Sequence, residues 1–216
     1  MSLYYAERPA AGAAEGLLVL HHGRGTDEQD LLRMADFIDP RRRILVVTPR
    51  APLTVPGSPG YHWYLVPRVG YPDPETFAAA RAQLAELHDE LWARTGLTAA
   101  QTVLGGFSMG CVMSYATGLD AERPRPAGIL AFSGFIPSVP GWEPDVEDRP
   151  ALPVQISHGR QDPVIAIELG RDAAARLQAG GLAVDFREFD GGHWIDPVDL
   201  ERAQAFLAAT LSAPSA

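Results

Sequence analysis

Cysteine is nearly absent. Cys111 is the single one, so no disulfide can form within the chain, and a reducing, cytoplasmic setting is expected. Basic charge is in deficit, with 18 Lys and Arg against 27 Asp and Glu and a net charge of −9 with neutral histidines. Nucleic acids and anionic membranes reward basic patches, so neither is expected as the main partner. The basic run "PRRR" at Pro40 to Arg43 reads as a solvated turn. Long apolar runs are missing as well. The stretch "GLLVL" is too short for a signal peptide or a membrane span, and "MSLYYAERPAAGAAEG" has no basic start followed by a long apolar core. Stable membrane association is therefore not expected. No period of about 20 to 50 residues repeats, and no linker divides the chain. Residues 1–216, 46% of them apolar, are expected to form one domain with a sizeable core.

Short apolar, β-branched runs recur at 16–22, 43–49, 102–107, 127–134, 152–159 and 183–190. Most are apolar on both faces, as parallel strands covered by helices on each side require. The last alternates, Val184, Phe186 and Glu188 against Asp185, Arg187 and Phe189, and so belongs nearer a sheet edge. Helical period fills the gaps between these runs. In "PETFAAARAQLAELHDELWART" the residues Phe77, Ala80, Leu84, Leu87 and Leu91 form one stripe, and Leu200, Ala203, Phe206 and Leu207 repeat the pattern. Asp30 to Ile38 and Val164 to Leu177 are shorter candidates, and Ser108 to Leu119 is a buried one. This alternation predicts an α/β fold with an open, mostly parallel sheet flanked by helices. Residues 49–75 and 135–151, rich in proline and glycine among aromatics, read as ordered insertions. Long loops of that kind in a compact domain usually carry function.

The stretch "GGFSMG" at 105–110 sits between a strand and a helix and matches G-x-S-x-G, the strand–turn–helix that presents a nucleophilic serine. The turn is so tight that side chains at its flanks would clash, which is the reason for Gly106 and Gly110. Ser108 then projects from the carboxyl end of its strand, and the Met109 N–H lies at the positive end of the next helix. A serine hydroxyl needs a base, and in this kind of turn the order is serine, acid, histidine. Asp162 in "SHGRQDPVI" and His193 in "FDGGHWIDP" both follow strands in that order. Asp190 and Asp196 are rival acids, and His21, His22, His62, His88 and His158 are rival bases. "HHGRGTDEQDLL" turns sharply after the first strong strand, and the turn can aim the Arg24 N–H toward Ser108 as an oxyanion donor beside Met109.

Four separated pieces, "LLVLHHGRGTDEQDLL", "GGFSMG", "LAFSGFIP" and "HGRQDPVI…DGGHWI", stand in the order of one family. On them the chain resembles the small α/β-hydrolases of the carboxylesterase, lysophospholipase and acyl-protein thioesterase family, kin to dienelactone hydrolase. The resemblance covers essentially the whole chain and implies Ser108, Asp162 and His193 as a triad, with backbone donors at Arg24 and Met109. It departs in two places. Residue 109 is Met where the thioesterases usually carry Gln, and Ser108 stands where dienelactone hydrolases use cysteine. Cys111 reads as a small buried filler.

The expected reaction is hydrolysis of a small-molecule ester of short to medium acyl chain, with thioesters and lysophospholipids as alternatives. A binding protein that has kept the fold without the chemistry is the remaining reading. The mechanism needs no metal or organic cofactor, and no Cys/His cluster resembles a zinc site. With no separate lid domain, the pocket walls are expected from the two insertions, with Trp63, Tyr64, Leu65, Phe135 and Ile136 as candidates. A homodimer through an apolar patch around the 49–75 loop is an analogy to the family's members and stays open.

Overall fold

The structure is a computed structural model that describes residues 3–211. Seven strands form one sheet in the order β1-β3-β2-β4-β5-β6-β7. They are β1 (Tyr5–Arg8), β2 (Leu17–His21), β3 (Leu45–Pro49), β4 (Thr102–Phe107), β5 (Gly128–Phe132), β6 (Pro153–Gly159) and β7 (Ala183–Phe189). All neighbours run parallel except β1, which pairs antiparallel with β3. The six expected strands are all present, and β7 lies at an edge. β1 was not expected. "YAER" has no apolar alternation to read, and only its register against β3, Tyr5 on Pro49 through Arg8 on Val46, makes it a strand.

Alternate residues of the central strands enter opposite cores, as the period of two demands. Leu17, Val19, Val47, Leu104 and Ile129 face the larger cluster. It is roofed by α3 (Pro74–Thr95), α4 (Met109–Gly118) and α5 (Ile167–Ala179). Leu18, Leu20, Val46, Val103 and Leu130 face the smaller one. Its cover is α1 (Gln29–Leu32), α2 (Ala35–Ile38) and α6 (Pro197–Leu211). The expected helix over 30–38 is in fact two single turns. α3 carries the expected stripe, with Phe77, Ala80, Leu84, Leu87 and Leu91 all buried. Its ends follow local chemistry. Asp73 accepts from the Thr76 N–H, Pro74 opens the first turn, and Gly96 closes it at φ 74°. α5 starts later than its periodicity suggests because residues 162–165 are held in a turn described below. Among the described residues no helix is long and apolar enough to cross a membrane.

Candidate active site

β4 ends at Phe107, and Ser108 follows at φ 55°, ψ −118° before α4 begins. A non-glycine residue there is strained by about 1–3 kcal/mol, so the surroundings must enforce it. They do so by close backbone approach. A Cβ on Gly110 would lie 2.0 Å from the His21 carbonyl oxygen, and one on Gly106 would lie 2.5 Å from the carbonyl of Gly110. The Ser108 N–H donates to Phe132 O (2.9 Å), tying the turn to β5.

Asp162 and His193 reach this serine from the ends of β6 and β7. His193 Nδ1 lies 2.7 Å from Asp162 Oδ2, and His193 Nε2 lies 2.9 Å from Ser108 Oγ. With Asp162 accepting the Nδ1 proton, Nε2 presents its lone pair to the hydroxyl. Asp162 is buried, and its other oxygen accepts from the N–H groups of Val164 (2.8 Å) and Ile165 (2.9 Å). That turn both fixes the carboxylate and delays the start of α5. The rival acids are engaged elsewhere, Asp190 with Arg160 and Asp196 with Arg187. Phe107 packs its ring 4.7 Å from the His193 ring.

The matched family decides what this geometry belongs to. The family described as Phospholipase/Carboxylesterase matches residues 8–211. The chain belongs to this family. It is similar to acyl-protein thioesterase 1 of Gibberella zeae, at 32% identity over 54% of this chain and 51% of that protein. The match therefore spans about half of that relative. Acyl-protein thioesterase 1 of Aspergillus fumigatus is 24% identical over 92% of this chain and 89% of its own length. Among solved structures, that of esterase PE8 superposes at a TM-score of 0.84 with 32% identity, covering 97% of this chain and 100% of the other. The phospholipase/carboxylesterase chain described here is a serine hydrolase of the esterase and thioesterase type with the α/β-hydrolase fold.

The turn 22–26 also borders the site, through Gly23, Arg24 and Thr26. It is braced rather than free. Ala51 N–H donates to His22 Nε2 (3.0 Å), which leaves the proton on Nδ1, and Nδ1 donates to Gly23 O (2.7 Å). Burial lowers the His22 pKa, so the ring stays neutral and its tautomer is locked. Thr26 Oγ1 donates to the same carbonyl (3.1 Å), and Gly25 N–H donates to Tyr61 O (3.0 Å). Gly60, at φ 60°, lets the 49–75 segment approach: a Cβ there would sit 2.3 Å from Gly25. Arg50 fixes the other side, gripping buried Glu28 through two 2.6 Å contacts while lying between the rings of Tyr4 and Tyr61.

An apolar cavity of about 260 Å³ opens on Ser108 and His193. Gly23, Arg24 and Met109 border it, so both expected donor residues lie beside the nucleophile. Of the five pocket candidates, Tyr64 and Phe135 line it. Trp63, Leu65 and Ile136, also expected there, do not. Trp63 is fully buried behind the turn, where its indole N–H donates to His22 O (2.9 Å) and its backbone N–H to Met109 Sδ (3.3 Å). The Met at 109, a departure from the thioesterase pattern, thus supplies an acceptor that ties the long loop to the nucleophile helix. Leu65 faces a neighbouring depression, and Ile136 lies over a separate one near α5. Walls that sequence reasoning missed are Val66, Val69, Phe107, Val164 and Ile165. Phe107 was legible as the neighbour of the serine, and Val164 and Ile165 as the residues after the acid. Val66 and Val69 carried no signal beyond lying in the insertion.

The rival histidines have other occupations. His21 Nδ1 lies 2.9 Å from Ser114 Oγ, and His158 Nε2–H donates to Ile165 O (2.8 Å). His88 is buried on α3, where desolvation takes its pKa down to about 3. Cys111 is buried, and its thiol pKa is pushed up by the same cause.

Proposed function

We propose that this chain hydrolyses carboxylic esters of short to medium acyl chain through an acyl-enzyme on Ser108. The observation that carries the reading is the continuous path Asp162–His193–Ser108 opening onto an apolar cavity. His193 Nε2 takes the serine proton as Oγ attacks the ester carbonyl. Asp162 stabilises the imidazolium, which then protonates the leaving alcohol. Water repeats the sequence on the acyl-enzyme, displacing the acid and returning the proton to the serine. The N–H groups of Arg24 and Met109 are the donors for the tetrahedral oxyanion. The Met109 N–H, at the first position of α4, lacks an intrahelical acceptor and carries the positive end of the helix dipole. One such donor is worth about 10²–10³ in kcat.

The cavity volume of about 260 Å³ lies just below the range of pockets for drug-sized ligands, about 300 Å³ upward. That size favours small acyl groups over a long extended chain. Ser108→Ala should lower hydrolysis of p-nitrophenyl butyrate by about 10³-fold or more while leaving the melting curve in place, and a fluorophosphonate should label wild type at Ser108 only. Near-normal turnover by the folded variant would sink the assignment. Rates across p-nitrophenyl esters from acetate to palmitate should fall beyond medium length. The thioesterase reading has specific support in the names of the two sequence relatives, and a matched thioester panel separates it: it wins if thioesters outpace their oxygen esters.

A further inference from the structure

Arginine supplies all the basic charge of this chain, and most of it is matched by carboxylates, as in Arg50–Glu28, Arg94–Glu7 and Arg171–Glu188. Arg24 differs. Its side chain is exposed, and among the described residues no carboxylate lies within ion-pairing distance of it. The acidic groups of its own turn are occupied, Glu28 by Arg50 and Asp27 by the Gln29 N–H. The position of this unmatched charge is specific. Arg24 borders the catalytic cavity and also an adjoining depression of about 320 Å³. Tyr64 and Val66 belong to both, so the two spaces are neighbours that share the wall these residues form.

Val55, Leu65 and Pro67 give the depression an apolar wall, and His62 adds a polar one. His62 is 1% exposed, and its Nε2 has no hydrogen-bond partner among the described residues. Buried polar atoms are normally satisfied, so an orphan lining a depression points to a ligand that completes it. Reciprocal bonds between His62 and Leu53 (2.8 and 3.1 Å) hold the backbone that carries the ring. Desolvation, and then the Arg24 charge, lower its pKa and keep it neutral.

We propose that Arg24 and His62 form an anion subsite for acyl groups ending in a carboxylate, so that the preferred substrates are monoesters of dicarboxylic acids. The inference rests on the esterase reading above. The subsite takes the acyl part because the leaving alcohol must lie against His193, which borders the catalytic cavity and not the depression. A carboxylate fits better than a phosphate dianion. One guanidinium beside a neutral imidazole matches a single negative charge, its planar fork suits a carboxylate, and the wall is otherwise apolar. On a chain of net charge −9, an unmatched cation at the mouth also gives an anionic substrate its local attraction.

The test compares monoethyl adipate with ethyl 6-oxoheptanoate, its uncharged isostere, by titrating released acid. Wild type should favour the adipate in kcat/KM, and rising salt should erode that preference. Arg24→Gln should reduce the adipate-to-ketone ratio about tenfold, and Arg24→Lys should restore part of it. A ratio that is the same in wild type and Arg24→Gln overturns the subsite while leaving the esterase reading intact. Turnover of neither ester, with p-nitrophenyl butyrate also untouched, overturns both.

Discussion

Two histidines serve the site, His193 on the nucleophile and His22 inside the 22–26 turn, and the protein uses them in opposite ways. His193 is half-buried, its Nδ1 on a carboxylate and its Nε2 on the serine hydroxyl, so a proton can enter and leave. His22 is buried between the Ala51 N–H and the Gly23 carbonyl, so its proton has one place to be. The difference lies in the partners rather than in the side chain. A carboxylate and a hydroxyl let an imidazole change charge, whereas two backbone groups and burial freeze it neutral. One rim of the site can thereby move a proton, and the other is held still, as the proposed donor role of the Arg24 N–H requires.

The comparison breaks hardest where the two rims meet. Gly110→Ala would force a Cβ to within 2.0 Å of His21 O and 2.6 Å of His22 O. Loss of the native fold, read as a collapsed or absent thermal transition, is the expected result. A normally melting, active variant would show that the backbone contact is not required. Asp162→Asn strikes the proton-moving rim alone. Because the amide favours the wrong histidine tautomer, kcat should fall about 10⁴-fold with KM nearly unchanged.

His22→Ala strikes the static rim. It should lower kcat by about 10²-fold through the displaced turn, yet leave the pH dependence of kcat where it was. A shifted pH profile would mean that His22 titrates during turnover. The smallest effect concerns stability. His88 has a pKa of about 3 in the fold against an ordinary 6.5, and His21 is also lowered, both chiefly by burial. Between those pH values the unfolded chain binds the extra proton, so stability should fall as pH drops below about 6.5. The slope is at most about 1.4 kcal/mol per pH unit for each such histidine. Urea unfolding of His88→Leu against wild type from pH 7 to 4 reads it: the variant should lose less, and parallel curves would refute the assignment.

The reactive groups were legible because each sits beside a local signal. Ser108 lies between glycines at a strand end, and Asp162 and His193 each follow a strand in the expected order. The walls were less legible. Trp63 and Val66 stand three residues apart in one insertion with the same apolar character, yet Trp63 braces His22 O from behind while Val66 borders the cavity. No periodicity in an irregular segment tells inward from outward. β1 was invisible for a related reason, since an edge strand of four residues owes its state to the ladder on β3.

Strand and helix order, the glycine-flanked nucleophile and the chain order of its partners followed from the residues themselves, because backbone sterics and apolar period act over a few neighbouring positions. How the rival acids are engaged, which loop atoms hold the 22–26 turn, and that Arg24 is left without a carboxylate were decided only by the folded chain. Hydrogen bonds and ion pairs are set by distance in space, and residues 85 positions apart reach bonding distance only once the sheet has formed.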